Sequence, residues 1–407
     1  MKISIEPGKL NGKVNINPSK SYAHRQLIAA ALSHLDTVIN IDSLNDDIEA
    51  TIECLKCLGA EISKQKGCLL VKPVWGNLND GALLNCRESG STLRFLMPIL
   101  PALRCESTIN AQGRLPQRPN SVLIEQLRAH NVTVDNELLP FKISGKLESG
   151  IFEIPGNVSS QYITGLMFAL PLLDNASKIY VTSKLESRNY LDITIEVLNE
   201  FGVLIEETDY GFYISAPQEY KTPQNITVEG DWSSASFWLT ANLLGSNIEV
   251  NCLNDNSKQG DRAINKILNE FKDRTGKLKG IDIDASDIPD LVPILAVAAT
   301  QAEGKTVITN AARLRIKESD RLNAICSSLR ILGADIAETE DGLVVNGGKR
   351  LKGGTVSSFG DHRIAMSMAI AATVSDGPVI IDGAESVNKS YPEFFAEFKN
   401  LGGKLNV

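Results

Sequence analysis

No apolar run in this chain is long enough to cross a bilayer. The longest, Leu291 to Ala299, contains Pro293 and falls far short of the roughly 18 to 20 residues that a spanning helix needs. The first residues, Met1-Lys2-Ile3-Ser4-Ile5-Glu6, alternate like a strand and lack the apolar core and cleavage site of a signal peptide, so a cytoplasmic location is the expectation. Positive charge is not in excess: 41 Lys and Arg stand against 49 Asp and Glu, a net charge of −8. That balance argues against generic nucleic-acid binding, which needs a basic surface, though not against a local basic pocket. Histidine is scarce, four residues far apart, which speaks against a zinc site. The seven cysteines are odd in number and scattered, which speaks against a disulfide framework. Cys54 and Cys57 form a Cys-x-x-Cys spacing on a predicted helix from Asp46 to Leu58, but no second pair accompanies them, and a buried structural role is expected for both.

What is present is repetition. A chain of 407 residues exceeds what one hydrophobic core organises, so two domains are expected, and 43% hydrophobic with 22% charged residues is the make-up of a globular protein. Six times a short polar cluster opens an Ala- and Leu-rich segment, near Lys20, Gly90, Ser159, Asp231, Asp290 and Asp361, at intervals of 70, 69, 72, 59 and 71 residues. Each opening is followed by a second mark where a helix should end and run into a strand: Leu58-Gly59-Ala60, His130-Asn131-Val132, Phe201-Gly202-Val203, Thr275-Gly276-Lys277, Leu332-Gly333-Ala334 and Leu401-Gly402-Gly403. Gly and Asn suit the left-handed position that ends a helix. Six units make three per domain.

Within a unit the pattern reads helix, strand, helix, strands. In the first, helices are predicted over Tyr22 to Ser33 and Asp46 to Leu58, and strands over Val38 to Ile41, Glu61 to Ser63 and Cys68 to Val71. In the fifth, helices span Leu291 to Gln301 and Ser319 to Leu332, and strands Thr306 to Thr309, Asp335 to Glu338 and Leu343 to Val345. Short strands joined through helices imply mixed sheets covered by helices. The polar stretch from Ala216 to Asn225, with Pro217 and Pro223, reads as a connector between the third and fourth units. If the first strand, Met1 to Lys9, joins the last three units, the chain crosses between domains twice.

Helix openings carry unpaired N–H groups and partial positive charge, which favours phosphate or carboxylate. Several clusters here add matching side chains: Ser19-Lys20-Ser21 with Arg25, Ser89-Gly90-Ser91-Thr92 with Arg94, Ser159-Ser160-Gln161, and Asp361-His362-Arg363. Ser, Thr and Asp are also ordinary helix caps, so no single cluster decides the matter. Lys20 and Arg25 fall on nearly one helix face, where two cations point to an anionic partner. Arg114 and Arg118 lie in a Pro-rich loop, and Arg is the side chain best shaped for bidentate contact with carboxylate or phosphate. Lys317, Glu318 and Arg321 sit where a strand hands over to a helix, a place where loops carry function. Asp290, opening an apolar helix, is either a cap or a carboxylate that takes a proton from a substrate hydroxyl.

These segments resemble the enolpyruvyl transferase family along the whole chain. The carriers are Pro18-Ser19-Lys20-Ser21-Tyr22-Ala23-His24-Arg25, Ser89-Gly90-Ser91-Thr92-Leu93-Arg94, Arg118-Pro119, Ser159-Ser160-Gln161, Ile288-Pro289-Asp290, Ile316-Lys317-Glu318-Ser319-Asp320-Arg321 and Asp361-His362-Arg363. The resemblance implies an α/β fold of two similar domains, each of three βαβαββ-type units in an inside-out α/β barrel, with the active site in the interdomain cleft. It places residues 1–12 with 228–407 in one domain and 13–227 in the other, hinged near Lys13 and Val228. It implies a monomer without metal or organic cofactor, acting on two polyanions, phosphoenolpyruvate and shikimate 3-phosphate.

Carried over residue by residue, the resemblance makes Asp290, Glu318 and Lys20 catalytic. Lys20, Ser21, Arg25, Ser159, Ser160, Gln161, Ser187, Tyr190, Asp290 and Lys317 would bind shikimate 3-phosphate. Lys20, Gly90, Arg118, Gln161, Arg321, His362, Arg363 and Lys389 would surround phosphoenolpyruvate. Two positions depart from the family pattern: Arg313 stands where some members have a shikimate-binding Asn, and Tyr391 where Phe is common, the latter read as of little consequence. The sister branch that uses UDP-N-acetylglucosamine carries Lys-Asn near the start and a cysteine in the second unit's loop, whereas this chain has Lys20-Ser21 and no cysteine from Gly113 to Pro119. A non-catalytic phosphometabolite binder on the same scaffold would have lost Asp290 or Glu318. The fourth unit, Asp231 to Ser236, has no carried-over ligand and is expected to be mainly structural, near the hinge.

Overall fold

The computed structural model describes residues 1–406, and its contacts divide the chain into two units: Pro18–Glu229, and Met1–Asn17 with everything from Gly230 onward. The first contains six helices, α1 (Lys20–Leu32), α2 (Asp46–Cys57), α3 (Gly90–Ala102), α4 (Ser121–Ala129), α5 (Ser160–Ala169) and α6 (Arg188–Glu200). The second contains α7 (Trp232–Leu243), α8 (Ile264–Glu270), α9 (Val292–Thr300), α10 (Arg321–Ile331), α11 (His362–Ala372) and α12 (Phe394–Asn400).

Helices alternate between two kinds, and sequence explains which is which. The odd-numbered helices are rich in Ala, Leu and Ile and buried on nearly every side, from Tyr22 to Leu32 in α1 and throughout α9 and α11. A helix apolar all round belongs inside, whereas one with a single apolar stripe covers a core. The even-numbered helices are of the second kind; α6 buries Leu191, Ile193, Thr194, Val197 and Leu198 and exposes the rest of its surface to differing degrees. Interior helices pack on one another, α3 on α5 in one unit and α7, α9 and α11 together in the other. At α3–α5 the approach is so close that a Cβ on Gly165 would stand 2.4 Å from the Arg94 carbonyl.

The sheets repeat one pattern. In the first repeat Thr37–Asn40 pairs parallel with Asn225–Thr227 and antiparallel with Cys68–Lys72, which returns antiparallel to Glu61–Gln65. The second, third and fifth repeats have the same four-strand order. The sixth completes it with the chain's own start: Lys2–Ile5 lies between Val379–Asp382 and Leu405–Asn406, antiparallel to both. The fourth is reduced to two parallel strands, Asn11–Asn15 and Asn247–Asn251, and its returning hairpin shrinks to the isolated bridge Lys272–Leu278. That loss accounts for the short 59-residue interval after Asp231. Among the described residues no sheet closes on itself.

The second marks adopt positive φ at Gly59 (113°), Asn131 (65°), Gly202 (74°), Gly276 (83°), Gly333 (86°) and Gly402 (91°). Five follow a helix directly; Gly276 lies instead in a turn where its N–H meets the Asp273 carbonyl, well past the end of α8 at Glu270. Each unit has its own hydrophobic core, one running from Tyr22 to Val228, the other joining Ile3 to Ile16 with Trp232 to Leu401. Among the described residues no helix is long and apolar enough to cross a membrane. All seven cysteines are free, and Cys57 is exposed, unlike buried Cys54: the expected buried role holds for one of the pair only, because residue 57 falls on the outer face of α2.

Candidate active site

In the unit Pro18–Glu229, α1 begins where the Ser19 N–H donates to the Glu229 carbonyl at 2.7 Å. Lys20, at the first turn of α1, extends its Nζ to within 2.8 Å of Asp47 in the first turn of α2. Arg25 is buried, with hydrogen bonds to the Ser21 carbonyl (2.7 Å), Thr194 Oγ1 (2.9 Å) and the Tyr190 carbonyl (3.0 Å), and its guanidinium lies 5.1 Å from the Phe95 ring centroid. All three acceptors are neutral, so they orient the cation without cancelling it. Burial pulls its pKa down to about 10, which still leaves it charged at neutral pH. His24 beside it is neutral, pushed down to about 3 by burial, with Nδ1 2.7 Å from Thr51 Oγ1.

Gly90 opens α3 beneath two guanidinium groups: a Cβ there would lie 3.0 Å from Arg118 and 3.3 Å from Arg94. Arg94 ties this corner together, donating to Gln161 Oε1 (2.7 Å), Asn120 Oδ1 (3.0 Å) and the Pro119 carbonyl (3.3 Å). Gln161 in turn donates to Ser91 Oγ at 2.9 Å. Ser159 caps α5 through the Gln161 N–H at 3.3 Å, and Ser160 is buried beside it. Ser187, also buried, holds a left-handed backbone, φ 56° and ψ 40°, at the start of α6 with no cap bond from its side chain. Such a conformation costs a non-glycine residue on the order of 1 kcal/mol and persists only where the surrounding structure enforces it. Helices α1, α5 and α6 meet through Arg25, Thr194 and Thr164, the two threonine hydroxyls being 3.0 Å apart.

The other unit centres on Arg321, 1% exposed. Its guanidinium meets three carboxylates: Glu318 at 2.6 Å, Asp290 at 2.8 Å and Asp361 at 2.8 Å. Burial alone would lower its pKa, but Asp361, Glu318 and Asp290 outweigh that and raise it, so the group is permanently cationic. Each carboxylate comes from a different repeat or turn: Asp290 from the 3₁₀ turn Pro289–Leu291 before α9, Glu318 from the link into α10, and Asp361 from the cap of α11, where it accepts the Arg363 N–H at 3.0 Å. Ser319 Oγ also donates to Asp361, at 3.0 Å. Arg363 reaches Asp290 from the other side at 3.1 Å and donates to Ser233 Oγ. His362 Nδ1 lies 3.8 Å from Asp361. Lys389 is buried at the end of the 3₁₀ helix Ala384–Lys389. Lys317 ends the 3₁₀ helix Ala312–Ile316, in which Arg313 donates to the Ser286 carbonyl.

Three residues joined to the expected ones were not singled out by the sequence: Asp47, Ser233 and Asp261. Asp47 meets Lys20 only through folding, whereas Arg94 stands one helical turn from Gly90 in the same cluster. Asp361 looked like a cap, and is one, while its second oxygen serves Arg321. In the fourth repeat Asp231 caps α7, accepting the Ser234 N–H at 2.8 Å, and Ser233 accepts from Arg363. The turn Gly260–Ala263 brings buried Asp261 close to Asp290 and Arg363. Burial first, and the negative charge of Asp290 second, push the Asp261 carboxyl up to about 7. Its only advance signal was an acid beside a glycine in Gln259-Gly260-Asp261-Arg262.

Two units of repeated α/β architecture, with Arg and Lys gathered at helix openings and paired carboxylates among them, define an enzyme class that binds small polyanions and moves protons on them. Residues 5–398 match the family model for EPSP synthase (3-phosphoshikimate 1-carboxyvinyltransferase). The chain is 44% identical to the 3-phosphoshikimate 1-carboxyvinyltransferase of Clostridium kluyveri, over 99% of this chain and 98% of the relative, and 45% identical to that of Clostridium perfringens strain 13, over 99% of each. Its fold superposes on an EPSP synthase structure from Acinetobacter baumannii with a TM-score of 0.83 and 25% identity over the whole of both chains. The chain belongs to the EPSP synthase family.

Proposed function

We propose that the residues gathered above carry out the family's reaction, transfer of the enolpyruvyl group of phosphoenolpyruvate to the 5-hydroxyl of shikimate 3-phosphate in aromatic biosynthesis. The hydroxyl oxygen attacks C2 of phosphoenolpyruvate while C3 gains a proton, giving a tetrahedral intermediate. Loss of a proton from C3 then expels phosphate with the C2–O electron pair and leaves 5-enolpyruvylshikimate 3-phosphate. Every electron pair is supplied by the two substrates, so the balance calls for acid–base groups and cations.

The observation that carries this reading is the Arg321 cluster, in which two carboxylates at different chain positions, Asp290 and Glu318, are held within 2.8 Å of one guanidinium. Asp290 accepts the hydroxyl proton and Glu318 handles the proton at C3. Lys20, Gly90, Arg118, Gln161, Arg321, His362, Arg363 and Lys389 surround phosphoenolpyruvate. Lys20, Ser21, Arg25, Ser159, Ser160, Gln161, Ser187, Tyr190, Asp290 and Lys317 hold shikimate 3-phosphate. A site crowded with opposite charges in low dielectric strengthens each charge-assisted contact. Self-contained cores in both units are compatible with a monomer.

Phosphate release tests the reading. With phosphoenolpyruvate, the purified enzyme is expected to release phosphate when given shikimate 3-phosphate and not when given UDP-N-acetylglucosamine. Asp290→Ala and Glu318→Ala should each lower kcat by about 10²- to 10⁴-fold with an unchanged circular dichroism spectrum. Release with the UDP-sugar, or with neither acceptor, would overturn the assignment, and near-normal turnover in either variant would remove that residue's role.

A further inference from the structure

Tyr391 lies two residues beyond Lys389, and the structure gives its phenol oxygen a task. The ring is fully buried, edge-on to Trp238 at a centroid distance of 6.3 Å and to Phe394 at 5.7 Å. Trp238 stacks on Phe394 at 4.8 Å. Inside this aromatic box the phenol is saturated: it accepts the Trp238 indole N–H at 3.2 Å and donates to the Glu397 carboxylate. The Tyr391 backbone is pinned as well, its N–H to the Val387 carbonyl at 2.7 Å and its carbonyl to the Phe394 N–H at 3.1 Å. One residue back, the Ser390 carbonyl accepts from Asn17 Nδ2 at 3.0 Å. Lys389 therefore stands at the end of a segment fixed on its C-terminal side by side chains from three other places in the chain: Asn17, Trp238 and Glu397.

A phenylalanine would fill the aromatic box equally well, and burying a phenol and a carboxyl near it brings a desolvation cost that packing alone does not require. Oriented polar bonds add what an apolar contact lacks, a single rotational setting. We propose that Tyr391, locked between Glu397 and Trp238, is a positioning residue that sets the direction in which Lys389 presents its ammonium group to phosphoenolpyruvate. The proposal rests on the reading of Lys389 as a phosphoenolpyruvate ligand. Tyr391 and Glu397 touch neither substrate; they act through the three-residue segment Lys389-Ser390-Tyr391.

Steady-state kinetics of Lys389→Ala, Tyr391→Phe, Glu397→Ala and Glu397→Gln, with each substrate varied in turn, test it. Tyr391→Phe and Glu397→Ala are expected to raise KM for phosphoenolpyruvate about 5- to 20-fold, with kcat and KM for shikimate 3-phosphate within about twofold of the parent. Glu397→Gln, which still offers an acceptor to the phenol, should restore the parent value. Lys389→Ala should raise the same KM by more. If Lys389→Ala raises it and Tyr391→Phe does not, the positioning role is wrong and the ligand reading stands. If Lys389→Ala leaves it unchanged, the ligand reading fails and the proposal with it. Equal changes in both KM values and in kcat, unrelieved by Gln, would mean that the network is merely structural. Tyr391→Phe differs from the parent by one oxygen, so it provides a folded variant should Glu397→Ala fail to fold.

Discussion

Arg321 and Asp261 show what the residue scale adds to a list of site residues. Arg321 was expected as a ligand for an anion, and the protein's own Asp290, Glu318 and Asp361 already meet its guanidinium, so it also holds those carboxylates in place. Asp261 has the opposite circumstance: buried near Asp290, its carboxyl is raised from the ordinary 3.8 to about 7. A raised carboxyl binds its proton more tightly in the folded state, so the folded state is penalised as pH climbs from about 4 to 7 and the penalty is constant above that. Asp261→Asn removes it. The variant should gain stability over the parent at pH 8, and that gain should shrink by about 3 kcal/mol on going to pH 5, measured by urea unfolding at the two pH values. An equal gain at both would mean that Asp261 is ionised throughout. The sequence marked Asp290 as an acid at a helix opening and Glu318 as one at a strand-to-helix handover, while the roles given to these two and to Lys20 come from the family resemblance. Asp261 and Asp47 carried no such mark, because what links them to those residues is a neighbour 29 or 27 residues away that only folding brings near.

At the scale of elements, periodicity carried most of the fold. All six opening clusters start interior helices within three residues of the expected points, and five of the six second marks end a helix with left-handed backbone. The exception is Gly276, because a glycine in a turn and a glycine after a helix look alike in one dimension. In the fourth repeat the short interval was visible, but its cause, the missing hairpin, was not. The two outermost marks are not equivalent, and the difference is measurable. A Cβ on Gly59 would sit 2.1 Å from the Asn77 carbonyl oxygen, whereas one on Gly402 would meet nothing within 4 Å. Gly402→Ala therefore suffers only the left-handed backbone strain, about 1 kcal/mol, while Gly59→Ala adds a backbone collision and should cost over ~2 kcal/mol. Unfolding midpoints in urea compare the two directly; equal losses would show that the loop carrying Asn77 yields freely.

At the scale of the whole molecule, the two units differ in how the chain builds them. Pro18–Glu229 is continuous and holds every strand of its three sheets, including Asn225–Thr227, which returns to close the first. The other unit needs the N-terminus: Lys2–Ile5 is an inner strand between two partners, Asn11–Asn15 is half of a two-stranded sheet, and Ile3, Ile5, Leu10, Val14 and Ile16 belong to its core. Burying those five apolar side chains contributes on the order of 10 kcal/mol, comparable to the whole net stability of a domain. A fragment of residues 18–229 should accordingly unfold in one cooperative urea transition by circular dichroism. A fragment of residues 230–407 should not, until a peptide of residues 1–17 is added, whereupon a transition should appear whose midpoint rises with peptide concentration, as mass action requires. A cooperative transition in 230–407 alone would show that the N-terminal strands decorate a core already complete. Failure of 18–229 to fold would show that its apparent self-sufficiency depends on the remainder of the chain.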